Sequence, residues 1–214
     1  MPKTLTIGSQ ELEGILVVVE RPIGLVIFAH GSGSSRFSPR NAYVARELQK
    51  AGFATLLFDL LTADEARARA NVFNVALLAE RVIDAVKAAR VNAATSGLRI
   101  GLFGASTGAA AALAAAAIRP DDVAAVVSRG GRPDLAAPYL SEVRSPTMLI
   151  VGEADAQVVA LNETALDQLN CVKGLKTIRG ATHLFEEEGA LEQVVEEAQF
   201  WFRAHMEASD FDRF

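Results

Sequence analysis

The chain has 214 residues, half of them hydrophobic and 22% charged, with a formal net charge of −5. That supplies the core of one well-filled domain over residues 1–214, and the acidic balance gives no electrostatic reason to expect nucleic acid or an anionic membrane as partner. The single cysteine, Cys171, cannot form an internal disulfide. No stretch is long and apolar enough for a signal peptide or a membrane span, so cytoplasmic residence is the expectation.

Lys3 to Ile7 and Ile15 to Glu20 read as two strands joined by a polar turn near Gln10–Gly14. Arg21-Pro22-Ile23-Gly24 turns the chain again. Leu25 to Ala29 is a continuous apolar run, as expected for a strand buried on both faces. It opens into the small-residue loop His30-Gly31-Ser32-Gly33-Ser34-Ser35. Pro39 to Ala51 is helical and closed by Gly52. Ala54 to Phe58 is the next buried strand, ending at Asp59. Thr62 then stands three residues before Glu65, a capping-box spacing, and a helical pattern continues with interruptions to about Arg90.

Leu98 to Phe103 reads as a strand, mostly apolar from Ile100, and runs into Gly104-Ala105-Ser106-Thr107-Gly108; an alanine-rich helix follows over Thr107–Ile118 until Pro120 stops it. So many alanines predict a helix lying close to the sheet. Val123 to Val127 is a strand ending in Ser128-Arg129-Gly130-Gly131. A short helical piece covers Asp134 to Val143, and Thr147 to Val151 is a strand ending in Gly152-Glu153-Ala154-Asp155. Val158 to Leu169 is helical, Lys176 to Ile178 is a short strand before Gly180-Ala181-Thr182-His183, and Glu187 to Met206 is the last amphipathic helix. Residues 208–214 read as a frayed tail. Alternating short strands and helices predict an α/β fold, a mostly parallel central sheet with helices on both faces.

In such sheets ligands bind beyond the carboxyl ends of the strands. The useful side chains stand there in the sequence: His30, Asp59, Ser106, Arg129, Asp155 and His183. Strand, Gly-x-Ser-x-Gly and helix in succession make a nucleophile elbow with Ser106 at its tip. A hydroxyl needs a base, and the base an orienting acid. Of the three histidines, His205 lies in the C-terminal helix and reads as a surface residue, and His30 opens the glycine loop. His183 is the candidate base. The acid is expected between serine and histidine, which selects Asp155, whose alternative role is to cap the following helix. Glu153 is the reserve, and Asp59 reads as a loop anchor. Two oxyanion donors are expected, the Thr107 amide and that of Ser32, with Gly33 as substitute. No clustered His, Cys or carboxylate set suggests a metal.

On these motifs, residues 25–200 resemble an α/β-hydrolase. Within that superfamily His30-Gly31-Ser32-Gly33, the elbow, Gly152-Glu153-Ala154-Asp155 and Gly180-Ala181-Thr182-His183 resemble the small, lidless dienelactone-hydrolase-like proteins. The resemblance implies hydrolysis of esters or lactones with no metal or organic cofactor. It also implies a departure, because dienelactone hydrolases proper carry cysteine at the elbow and glutamate at the end of the oxyanion strand. Ser106 and His30 stand there instead, which favours a serine carboxylesterase acting on a small-molecule ester. A lactone hydrolase and an acyltransferase share the same residues. About twenty residues between the strands ending near Val127 and starting near Thr147 leave no room for a lid domain. The expectation is an open site preferring short acyl chains. Arg36 and Arg129 both follow strands at the active end, where a guanidinium is suited to a substrate carboxylate. The alternative has Arg129 paired with Asp59 or Asp134 and Arg36 solvated.

Overall fold

The computed structural model describes residues 2–207, and the tail expected to fray lies outside them. Eight strands form one sheet: β1 (Lys3–Ile7), β2 (Leu12–Val17), β3 (Leu25–Ala29), β4 (Ala54–Phe58), β5 (Ile100–Ala105), β6 (Val123–Arg129), β7 (Thr147–Gly152) and β8 (Lys173–Ile178). Their order is β1-β2-β4-β3-β5-β6-β7-β8. The two β1–β2 and β2–β4 pairings are antiparallel and the other five are parallel. The helices are α1 (Pro39–Lys50), α2 (Arg69–Val72), α3 (Val75–Val91), α4 (Thr107–Ile118), α5 (Ala156–Gln168) and α6 (Ala190–Met206).

A strand alternates its side chains between two faces, so β3, apolar throughout, feeds two cores. Leu25, Ile27 and Ala29 join the core shared with α3 and α4. Val26 and Phe28 join the core under α1 and α6, where Leu48, Trp201 and Phe202 sit. Helix α4 is enclosed on all sides: Ala109 to Ala112 and Ala114 to Ala116 are at most 1% exposed. It packs on β5, α3 and the 3-10 segment Pro133–Glu142. Larger side chains would hold the helix away from its neighbours, which accounts for the alanine run.

Three expected strands move, β5 among them, which runs Ile100–Ala105 rather than Leu98–Phe103. β2 lies at Leu12–Val17 rather than Ile15–Glu20, because Leu12, Gly14 and Leu16 turn inward in alternation and Gly14–Val17 pair with Phe58–Thr55 of β4. β8 starts at Lys173, earlier than expected; as an exposed edge strand it needs no apolar run. The capping box holds: the Thr62 N–H donates to Glu65 Oε2 at 2.9 Å and the Glu65 N–H to Thr62 Oγ1 at 3.2 Å. It starts only a 3-10 turn, Glu65–Arg67, before α2 and α3 follow as separate helices. Between β6 and β7 there is only the segment Pro133–Glu142, with no inserted domain.

What positions the site is the direction of the crossovers. From β3 the chain passes through α1 to β4 on one side, and from β5 through α4 to β6 on the other. The loops after β3 and β5 part company at this point and leave a crevice between them. Register places Ala29 beside Gly104, so His30-Gly31 emerges next to Ala105-Ser106.

Candidate active site

Ser106 stands between β5 and α4 at φ 52°, ψ −121°. A side chain with φ this positive is strained, on the order of 1–3 kcal/mol, so neighbours must hold it. Its N–H donates to Arg129 O at 3.2 Å, and its carbonyl accepts from Ala109 N–H and Arg132 N–H, both at 3.1 Å. The flanking glycines follow from the close approach. A Cβ on Gly104 would strike the Ala109 backbone, and one on Gly108 would strike the carbonyl oxygens of Ala29 and His30. The serine therefore sits on a turn locked into β6 and the start of α4, at that helix's positive end.

Asp155 occupies the N-cap position of α5, yet its side chain makes no capping bond. Its Oδ2 accepts instead from His183 Nδ1, at 2.7 Å. That bond fixes the tautomer: with the proton on Nδ1, Nε2 is left with a lone pair. The loop bearing His183 is pinned separately. Gly180 N–H donates to Glu153 Oε2 at 2.8 Å, and the Thr182 hydroxyl donates to Glu187 Oε1 at 2.6 Å. Glu153 thus ties the end of β7 to the histidine loop and makes no bond to the ring. Ser106 and His183 line one cavity of about 230 Å³ together with Gly31, Ser32, Arg40 and Arg129.

Gly31 crosses directly over the elbow, where its Cβ would come within 3.0 Å of Ser106 Cβ. The Ser34 N–H donates to Gly31 O at 3.2 Å, curling the loop back on itself. Among the described residues no backbone carbonyl outside the regular elements accepts from the Ser32 or Thr107 amide. His30 fastens the base of this loop. Leu60 N–H donates to its Nε2 at 3.1 Å, and its Nδ1 lies 2.9 Å from Gly31 O. Burial lowers the His30 pKa from 6.5, against the Gly31 bond and the nearby Asp59 charge. This is a neutral structural histidine. His205, expected on the surface, is half-buried with its ring 4.5 Å from that of Trp201.

The two arginines expected near the substrate differ in their surroundings. Arg36 is not free for a substrate: its guanidinium pairs with Asp59 and Glu13, and its own N–H donates to Asp59 Oδ1 at 2.7 Å. Asp59 is a loop anchor, as its position suggests. Asp134 is taken by Arg132, at 2.7 and 2.8 Å. Arg129 therefore pairs with neither acid. It is 7% exposed, and its Nε and Nη1 have no hydrogen-bond partner. Burial, with the Arg40 charge adding to it, lowers its pKa to about 10. It remains a cation at neutral pH beside Ser106. Arg40 also lines the Ser106 cavity. One of its nitrogens, Nη1, donates to Glu186 Oε1 at 3.1 Å, while its buried Nε is unpartnered. Only its place in the first turn of the helix after the glycine loop hinted at it.

The fold and this strand-end constellation define an α/β-hydrolase, and the chain belongs to that family: residues 24–171 match the alpha/beta hydrolase fold. Within the family it is similar to a dienelactone hydrolase from Anabaena variabilis, with 51% identity, a TM-score of 0.93, and 96% of this chain and 97% of that one covered. Est1E from Butyrivibrio proteoclasticus shares the fold at 16% identity and a TM-score of 0.81, over 95% of this chain and 98% of its own. Two strains of Mycobacterium tuberculosis carry a relative provisionally named a phosphoribosyl transferase, 55% identical over 199 residues. That match covers 93% of this chain but 45% of the relative, so the chain spans about half the length of these curated relatives.

Proposed function

We propose that the protein is a serine hydrolase cleaving short-chain carboxylic esters through an acyl-enzyme. The observation that carries this reading is the carboxylate of Asp155, which leaves the end of its own helix uncapped and takes His183 Nδ1 at 2.7 Å. A helix cap would be the simpler use for that side chain; orienting a base is the use that explains the bond. In this reading His183 Nε2 removes the proton from Ser106 Oγ as it attacks the ester carbonyl. The Ser32 and Thr107 amides receive the oxyanion. His183 then protonates the leaving alcohol, and a water repeats the cycle on the acyl-enzyme. No metal or organic cofactor takes part.

A second reading is favoured by two observations, the 51% identity to a dienelactone hydrolase and the unpaired Arg129 guanidinium in the Ser106 cavity. It gives a lactone or ester carrying a carboxylate that Arg129, with Arg40 beside it, would meet. An acyltransferase would use the same three residues and differ only in the final acceptor. The transferase name belongs to mycobacterial relatives about twice the length of this chain and is not carried over to the residues around Ser106.

The test is Ser106→Ala with a fluorophosphonate probe. Wild type should be labelled and should hydrolyse p-nitrophenyl acetate and butyrate. The variant should fold, escape labelling and lose at least about three orders of magnitude in kcat. Labelling or turnover that survives the substitution removes Ser106 from the reaction.

A further inference from the structure

Beside the Ser106 cavity, across the Gly31–Ser34 loop, lies a second one of about 340 Å³. Its lining includes the apolar side chains of Leu60, Leu61, Ala66, Val72 and Leu78 together with both expected oxyanion donors, Ser32 and Thr107. Ser32 and Gly31 line both cavities, but His183 lines only the Ser106 one. Resting on the esterase reading above, we infer that this second cavity is the acyl pocket and that the segment Leu60–Val72 sets acyl-chain length. The argument is one of proton delivery. The leaving alcohol must reach His183 to be protonated, so it occupies the side His183 lines. The carbonyl oxygen is held between Ser32 and Thr107, and the acyl chain then has only the other side to enter.

The wall is built to hold its shape. Glu65 accepts from Thr62 N–H and from Arg81 Nη2, both at 2.9 Å, and its carbonyl accepts from Asn71 Nδ2 at 3.0 Å. Arg81 is itself buried on α3. Glu65 thus fastens three pieces to one another, the turn and α3 through its carboxylate and the short helix α2 through its backbone carbonyl. The hydrogen bonds to Thr62 and Arg81 lower the Glu65 pKa, which keeps the clasp charged. Leu60 and Leu78 are buried, while Ala66 is exposed at the rim. The pocket is therefore deepest at Leu60–Leu78 and opens to solvent past Ala66. At about 340 Å³ it stands at the small end of small-molecule sites. Short acyl chains are covered; one long enough to pass the Ala66 rim gains nothing more.

The experiment measures kcat/KM for two ester series. One varies the acyl chain from acetate to decanoate on a fixed p-nitrophenol; the other varies the alcohol on a fixed acetate. In wild type each added methylene should raise kcat/KM by about four-fold while the wall covers it, with a plateau near hexanoate. Ala66→Trp, at an exposed position, should fill the rim, lower hexanoate by at least ten-fold and leave acetate within about two-fold. Val72→Phe should act the same way and guards against a folding defect in the first variant. The alcohol series should be unmoved by both. If the variants depress every acyl chain equally, or shift the alcohol series instead, the assignment of the pocket falls while the esterase reading stands. If wild type turns over no ester of either series, the hydrolytic reading fails and the pocket with it.

Discussion

Asp155 and Glu153 stand two residues apart at the end of β7, and both reach the histidine loop, yet their partners differ in kind. Asp155 holds the ring and Glu153 holds the backbone of Gly180. Losing the orienting carboxylate of a serine triad costs on the order of 10⁴ in kcat. Because Asp155 makes no capping bond, its loss should not carry the roughly 1 kcal/mol that a lost cap costs. Asp155→Asn is therefore expected to cripple turnover with an unchanged Tm, whereas Glu153→Gln, which keeps an acceptor for Gly180, should stay within about ten-fold of wild type. A reversed order in kcat would hand the role to Glu153. Arg129 invites the opposite kind of substitution. A buried guanidinium that lies over the Phe185 ring but meets no acid still opposes folding, and an apolar side chain of like size in its place is expected to stabilise. Arg129→Met should raise Tm by roughly 2–4 °C per kcal/mol regained. It should leave neutral esters nearly as fast and slow a matched ester carrying a free carboxylate. Both esters slowed alike, with a lower Tm, would make Arg129 structural. None of this isolation was legible in the sequence. Which of Arg36, Arg129 and Arg132 meets Asp59 or Asp134 depends on which loops the folded sheet brings together.

The loops are as much a part of the site as the side chains, and His30 shows how one is set. Its ring joins the start of the Gly31–Ser34 loop to Leu60, so that loop and the segment beyond β4 share one fastening. Folding favours the neutral ring because burial lowers its pKa below 6.5. The unfolded chain takes up a proton near 6.5 and the folded chain only at lower pH. The stability this ring contributes is thus present above 6.5 and is lost on acidification towards its folded pKa, with a slope of up to about 1.4 kcal/mol per pH unit. Melting of wild type and His30→Gln from pH 8 to 5 should show the wild-type advantage shrinking below about pH 6.5; an advantage that stays constant would contradict this. Elements with strong local signals were legible to the residue: Leu25–Ala29, Ala54–Phe58 and the alanine helix Thr107–Ile118. The misplaced ones lack such signals. Val18 and Val19 look like a continuation of the strand, but β4 pairs with Gly14 to Val17 and not beyond. The last helix starts at Ala190 rather than Glu187, after Gly189 at φ 75° and with Glu187 bonded back to Thr182. Pro133–Glu142 winds as a 3-10 segment around Pro138 rather than as an α-helix.

At the scale of the molecule, one switch in crossover direction makes the crevice, and the strand ends deliver Ser106, Asp155 and His183 to it from β5, β7 and β8. That much was legible because the motifs fall at strand ends in a fixed chain order; the split of the crevice into a cationic and an apolar cavity was not, since it depends on where the Leu60–Val72 segment folds back. The same architecture decides how substrate arrives. Lipases that respond to an interface do so because a mobile cover must open. Here the segment between β6 and β7 is a 3-10 coil of Pro133–Glu142, whose Ala136 and Leu140 are buried in the core beside α4, so it serves as scaffold rather than cover. The wall beyond β4 is clasped by Glu65 rather than hinged. Substrate should therefore enter as single molecules. With tributyrin, the rate is expected to follow a hyperbola that saturates through the solubility limit without a break. Each methylene is worth about 0.8 kcal/mol only while wall covers it, so a long-chain triglyceride should be a poor substrate even as an emulsion. A rate that jumps as tributyrin passes its solubility limit, or an emulsified long-chain ester that outperforms butyrate, would mean that some part of this scaffold opens, and the open-site account would fail.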